Sequence, residues 1–307
     1  MLGLTALASL LALPSVLAAP QSRDRACNGH AELCDRSYGN VTFMGSHDSF
    51  AYSDDPLALA RDQEVDIPTQ LDTGVRLLQA QSHMNGDDLH FCHTSILIHL
   101  RQILFDGGKV VDYLKTVKTW LDANPDEVLT LLFTNPEDVS LTDVWKPAFD
   151  DAGITDLAYV PPSLPVKQGD WPTLGELLDS GKRVIVFLDA NADPSQVDFI
   201  LPEFDMIWET PYGYTDDSFP CSIDRTSDKQ STADHMYMIN HSLNKHIGDI
   251  KYSDPEDAPT TNGVDSIVSA ADKCVSYSED NTYPSFVLLD FVDLGEGKKA
   301  VDKLNGF

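Results

Sequence analysis

Eight short apolar runs, spaced through the chain by longer amphipathic or polar stretches, constrain the fold more than any other feature. They are Val41–Met44, Val75–Ala80, Leu89–Cys92, Val128–Phe133, Arg183–Leu188, Phe204–Trp208, Met236–Ile239 and Phe286–Leu289. Each is too short for a buried helix and rich in β-branched, aromatic or leucine residues, which is how a strand covered on both faces reads. Helical patterns lie between several of them. Val110, Val111, Leu114, Val117, Trp120 and Leu121 form one apolar stripe, with Lys115, Lys118 and Asp122 off it, and Asn124-Pro125 stops the pattern. Leu174 to Leu178 gives a second helix, closed by Gly181. Strands alternating with helices predict an α/β fold with a parallel sheet. Eight of them in one chain predict a single TIM-type (β/α)8 barrel, regular or distorted, over residues 38–307. A doubly wound sheet is the competing reading, and the lack of G-x-G-x-x-G after the first run weighs against it. Between two of the runs, Met84-Asn85-Gly86-Asp87 reads as a hairpin-type turn.

Residues 1–19 stand apart from this pattern. Leu2 to Leu13 are apolar or small, and Pro14-Ser15-Val16-Leu17-Ala18 ends in a small-residue cleavage pattern, so a secretory signal cut after Ala18 or Ala19 is expected. The run is too short to cross a bilayer of about 30 Å, and no transmembrane anchor is expected elsewhere. The cysteines suit a secreted, extracellular protein. Cys27 and Cys34, in a leader over residues 20–37, are close enough to close a small loop. Cys221 and Cys274 could pair over a long excursion, leaving Cys92, and the sequence alone leaves connectivity open. No two close cysteine pairs face each other at zinc-ligand spacing. Two N-glycosylation sequons occur, Asn40-Val41-Thr42 before the first run and Asn240-His241-Ser242 at the end of the seventh.

Charge narrows the partners. With 21 Lys+Arg against 49 Asp+Glu, the formal charge is −28. Such a chain lacks the basic footprint that nucleic acid requires, is repelled by anionic lipid, and is expected to be a soluble monomer.

In a barrel, polar residues at the C-terminal ends of strands face the active site. Those positions are Gly45-Ser46-His47-Asp48-Ser49, then Gln79 and Gln81, His93-Thr94, Asn135, Asp189, Glu209, Asn240-His241 and Asp290. Three histidines and several carboxylates on one rim suit acid–base work, because imidazole takes and gives a proton near neutral pH. Each residue alone has a plain structural reading, as a turn cap or a hydrogen-bonded strand end, so the functional case rests on their convergence. A sugar-cleaving reading with Glu209 and Asp189 competes and needs two carboxyls about 5–10 Å apart.

These residues carry a resemblance. Met44-Gly45-Ser46-His47-Asp48-Ser49, Thr69 to Arg76, Leu89-His90-Phe91-Cys92-His93 and Leu288-Leu289-Asp290-Phe291 resemble, in order and spacing, motifs of the phosphatidylinositol-specific phospholipase C X-domain superfamily, from about Tyr38 to Asp293. The leader with its signal is similar to secreted fungal members. The resemblance implies a TIM-type barrel and phosphodiester cleavage by two histidines. His47 would be the general base, His93 the general acid, Asp290 the residue orienting His47, and Asp48 a support for the site. Gln79, Gln81, Asn135, Asp189, Glu209 and His241 would contact a small phosphodiester or phospholipid head group. The chain departs from the family at the second strand. Metal-independent members place an arginine there and calcium-dependent members place acidic ligands, whereas this chain has Gln79 and Gln81, and Phe133-Thr134-Asn135 in place of a further carboxylate. No cofactor or metal-ligating set is therefore assigned, although calcium or another divalent cation is left open. The phosphorane charge would lack its usual cation, unless a loop Lys or Arg supplies one. Arg76 lies too near the bottom of the barrel and reads as a salt bridge there. A weakly active or inactive barrel that binds a phosphorylated or sugar-like ligand is the alternative.

Overall fold

The computed structural model describes residues 25–94, 103–229, 231–248, 250–278 and 281–307. The expected signal segment, residues 1–19, lies outside them.

Eight parallel strands curl into one sheet. In chain order they are β1 (Phe43–Ser46), β2 (Val75–Ala80), β3 (Leu129–Phe133), β4 (Val184–Leu188), β5 (Ile200–Pro202), β6 (Ile207–Glu209), β7 (Met236–Asn240) and β8 (Phe286–Leu289). Their order across the sheet is β5-β4-β3-β2-β1-β8-β7-β6. Walking outward from β1 in both directions follows the cyclic order of a (β/α)8 barrel. The two ends of that walk, β5 and β6, are joined only by the 3-10 turn Glu203–Asp205, and no ladder pairs them among the described residues. The wall therefore has a seam.

Alternation along the strands sorts the core into two layers. Phe43, Leu77, Leu132, Phe187, Leu201, Met238 and Leu288 fill the inside of the curl, while Met44, Leu78, Leu131, Val186, Ile239 and Leu289 pack outward on the helices. Gly45 is required at the centre of β1, since a Cβ there would sit 2.6 Å from Leu77 Cδ2. Helix α1 (Ile67–Asp72) starts at the Asp66 cap, and α2 (Val110–Ala123) buries the expected stripe against the outer face. Its C-terminal end is met by the buried Arg183, which donates to the carbonyls of Leu121 in the last turn, of the cap residue Asn124 and of Glu127 beyond it. Beyond α3 (Lys146–Ala152), α4 (Leu174–Ser180) carries a capping box between Thr173 and Glu176 and ends at Gly181 in the left-handed region. Helices α5 (Ala258–Thr261), α6 (Val264–Cys274) and α7 (Gly297–Leu304) complete the outer layer.

Two expectations need correction. The Leu89–Cys92 run is not a barrel strand, and the sheet's eighth member is Ile200–Pro202. Residues Ser82–Asn85, Asp88–Thr94 and Ile103–Lys109 form a separate antiparallel sheet beside the barrel mouth. The reason is local: Gly86 at φ +68° reverses the chain in two residues, which permits only an antiparallel return, whereas a parallel crossover needs a dozen residues or more.

The Cys27–Cys34 and Cys221–Cys274 disulfides both form, and Cys92 is the free, buried thiol. The first closes a leader loop that packs Leu33 and Cys27 with Tyr38 and Trp171 into the inner layer. Arg76 makes its expected ion pair, 2.7 Å from Glu127. Asn40 is exposed, whereas Asn240 is buried. No helix among the described residues is long and apolar enough to cross a membrane.

Candidate active site

The C-terminal strand ends open into a cavity of about 580 Å³ lined by His47, Asp62, Gln79, Gln81, His93 and, on its far side, Asp189, Glu209 and Arg225. His47 follows the last residue of β1. Its Nδ1 lies 2.7 Å from Oδ1 of Asp290, the residue that follows β8. This contact arises because β1 and β8 pair in register, Ser46 beside Leu289, so the next residues on each strand emerge side by side. The ring is 29% exposed and Asp290 only 5%, so the carboxylate backs the imidazole while its Nε2 edge remains reachable.

Asp48 is fully buried, with φ +37°, a left-handed turn that Asp tolerates better than most residues. The two glutamines hold it there. Gln79 Oε1 accepts from the Asp48 backbone N–H at 2.8 Å, and Gln81 donates to the Asp48 carboxylate through its backbone N–H at 3.1 Å and its Nε2 at 3.0 Å. Both amides face the cavity, and of the two it is Gln81 that fastens this carboxylate, which stands 3.9 Å from His47 Nε2.

His93 comes from the antiparallel sheet rather than a barrel strand. Its Nδ1 lies 3.2 Å from Asp62 Oδ2 and 3.3 Å from the Ala60 carbonyl, leaving Nε2 for the cavity. Asp62 is 1% exposed, sits in the loop between β1 and α1, and accepts a very short hydrogen bond from Ser253. Sequence reasoning missed Asp62. It falls in a loop with no strand to place it, and only its flanking polar residues Arg61 and Gln63, also buried, distinguish the stretch once folded.

The electrostatics follow from these pairs. Burial alone would lower the His47 pKa, but Asp290 and Asp48 outweigh it and push the imidazole up to about 10. His93 is raised to about 9 by Asp62 and Asp48 against burial and the like charge of His47. Burial raises Asp48 to about 6 even with both imidazoles opposing it. Asp62 is held below the usual carboxylate range, because His93 overcomes its burial. Two groupings, His47 with Asp62 and Asp290, and Asp48 with Asp62 and His93, converge closely enough to hold a cation. In both, the carboxylates already face imidazoles, so a divalent ion would compete with His47 and His93 for them.

The far side of the cavity carries the positive charge that the sequence left unplaced. Arg225 pairs with Glu209 and lies over the Tyr212 ring at 4.9 Å. Burial, then the neighbouring Glu209, raises the Glu203 carboxyl well above its ordinary value beside that pair. Lys251 also lines the cavity, donating to the Gly213 carbonyl at 3.0 Å. Asn240 donates to Glu209 at 3.1 Å. Asp189 accepts from the Asn135 backbone at 2.7 Å, and burial raises its carboxyl.

The remaining two residues stand apart from the cavity. Asn135 is fully buried, and its side chain bonds the Val139 backbone on both its N–H and C=O. His241 is 1% exposed, bonded through Nε2 to Thr261 and Ser266 and packed on Phe219 at 4.0 Å. Burial lowers its pKa to about 4, opposite in direction to the shifts of His47 and His93.

A curled eight-stranded parallel sheet with this order and a polar mouth is a (β/α)8-type barrel. The family profile PI-PLC X 1 matches residues 33–305, and the chain belongs to the PI-PLC X family. The PI-PLC X domain-containing protein 1 of Arthroderma benhamiae is 42% identical over 309 residues, covering 97% of this chain and 95% of the relative. A second Arthroderma benhamiae protein, described as an uncharacterized secreted protein, is 37% identical over 284 residues, 90% of this chain and 62% of its own length. Among solved structures, the phosphatidylinositol-specific phospholipase C of Listeria monocytogenes superposes with a TM-score of 0.59 at 14% identity, covering 89% of this chain and 96% of that one, a likeness of fold.

Proposed function

We propose that this chain is a secreted phosphodiesterase of the phospholipase C type, acting on a phosphoinositide-like phosphodiester through a histidine base and a histidine acid. The observation that carries the reading is the pairing of each cavity-facing imidazole with its own buried carboxylate, His47 with Asp290 and His93 with Asp62. With Nδ1 of each ring held, Nε2 of each is the proton-transfer atom. His47 Nε2 takes the proton of the hydroxyl next to the phosphate. That oxygen attacks phosphorus, the bond to the leaving alcohol breaks, and His93 Nε2 delivers its proton to the departing oxygen. The products are a cyclic phosphodiester and a free alcohol. Lys251 and the imidazolium of His93 supply positive charge around the cavity, where the second strand has none, and Arg225 stands there already paired with Glu209.

Secretion fits the two disulfides and the apolar N-terminal run. The sugar-cleaving reading is disfavoured because Glu209 is neutralised by Arg225 and bonded by Asn240. The test is a panel of phosphoinositide and simpler phosphodiesters, with and without calcium, using wild type, His47→Ala and His93→Ala. Turnover by wild type and a loss of about 10²–10⁴-fold in either variant supports the reading. Wild type that turns over nothing makes the chain a binding barrel, and undiminished activity in His47→Ala removes the base assignment.

A further inference from the structure

The antiparallel sheet beside the mouth carries a second cluster that the reaction does not use. His90 and Cys92, two apart on the Asp88–Thr94 strand, meet Asp106 of the neighbouring Ile103–Lys109 strand. His90 Nδ1 lies 2.8 Å from Asp106 Oδ1, and Cys92 Sγ lies 3.9 Å from the same oxygen. All three ligand atoms fall within 4.8 Å of one another. Bonds of about 2.0–2.3 Å to a tetrahedral ion place ligand atoms roughly 3–4 Å apart, so the cluster needs only small side-chain adjustments to receive one. The carboxylate is anchored from behind by the Gly108 backbone at 2.8 Å and by Asn85 at 3.2 Å, the kind of outer support that orients a ligating group.

We propose that His90, Cys92 and Asp106 bind one divalent transition-metal ion of the zinc class, with water in the fourth position. Thiolate with imidazole selects zinc or cobalt over calcium and magnesium, which take oxygen ligands. The hydrogen bond from His90 to Asp106 accounts for those two residues as a structural pair. It does not account for Cys92, a reduced and wholly buried thiol in a chain whose other four cysteines are cross-linked. Without a cation, burial and the Asp106 charge hold that thiol protonated, with its pKa pushed up to about 12. A bound ion reverses the balance: the Cys92 proton leaves to solvent, and the His90 proton shifts from Nδ1 to Nε2 as Nδ1 ligates. Entry is from the Asp106 side, whose side chain is 39% exposed. The ion would clamp two strands of the sheet one residue from His93, giving the general acid a rigid mount.

Cobalt titration of the full chain with both disulfides intact tests this, because a thiolate-to-cobalt charge-transfer band can come only from Cys92. The expected result is one cobalt per chain with that band, displaced by zinc, absent in Cys92→Ser, and weakened at least about tenfold in His90→Gln. His90 is partly exposed, so this second variant carries the test if the buried serine fails to fold. A folded wild type that binds cobalt without the band, or His90→Gln binding with unchanged affinity, overturns the proposal.

Discussion

His93 Nδ1 lies 3.2 Å from Asp62 Oδ2, so the second imidazole of the mouth has a buried carboxylate of its own, delivered by a loop rather than by a strand. Asp62→Asn keeps the shape and removes the charge. It is expected to lower kcat by about 10-fold or more on any substrate the wild type accepts, with KM changed little, because the amide still fills the space but no longer stabilises the proton on His93. Steady-state kinetics check this, and a variant with wild-type kcat would strip Asp62 of any role.

His47 must be neutral to act as a base, yet Asp290 and Asp48 overcome burial to raise its pKa to about 10. Activity is therefore expected to climb with pH through and beyond neutrality. In Asp290→Asn the largest opposing charge is gone, burial lowers the pKa, and the rising limb moves to more acid pH while the plateau falls. A pH profile of kcat/KM for both proteins decides it. A limb unmoved by the substitution would mean that the titrating group is not His47.

The same shift links stability to pH. The folded value of His47, about 10, lies above the ordinary 6.5, so its contribution is complete below about 6.5 and fades as pH rises through 10. Wild type is expected to exceed His47→Gln in unfolding free energy by on the order of 2 kcal/mol at pH 6, with the gap closing by pH 10. Denaturant melts at the two pH values measure it, and a gap that widens toward alkali contradicts the assignment. His241 acts in the opposite sense. Its value of about 4 makes it cost stability as pH falls from about 6.5 toward 4.

Cys221 and Cys274 close a loop of 53 residues and tie α6 to the segment that carries Arg225 four residues later. Removing both sulfurs in Cys221→Ala/Cys274→Ala is expected to cost about 2–5 kcal/mol in urea unfolding. A double variant as stable as wild type would show that the loop is held by its packing alone.

Much of the barrel was legible because period and length agree in its strands. Phe286–Leu289 is a continuous apolar run, Val75–Ala80 is an apolar run interrupted by Arg76 and Gln79, and the residues that follow them, Asp290 and Gln81, mark the mouth. The reading failed at Leu89–Cys92, where an apolar run of strand length belongs to a hairpin. The Asn85-Gly86 turn signalled this, and it conflicts with a parallel strand so soon after β2. Conversely, Ile200–Pro202 has three residues and ends in proline, too little pattern to register as a strand. At the site, His47, His93 and Asp290 carried motif spacing, whereas Asp62 and Arg225 come from loops whose paths depend on tertiary contacts. Gln79 of β2 and Gln81 just after it show the limit of reading by residue type. They read as weak phosphate donors, and the fold also gives them a part in holding Asp48, Gln79 through its amide oxygen and Gln81 through its Nε2.

The seam between β5 and β6 has one more consequence. Because no backbone ladder crosses it among the described residues, β6, with Glu209 at its tip, is held in the sheet through β7 on one edge alone. The opposite wall, knitted from β1, β2 and β8, carries His47 and Asp290 on adjoining strands, so the base and its carboxylate stand away from the seam.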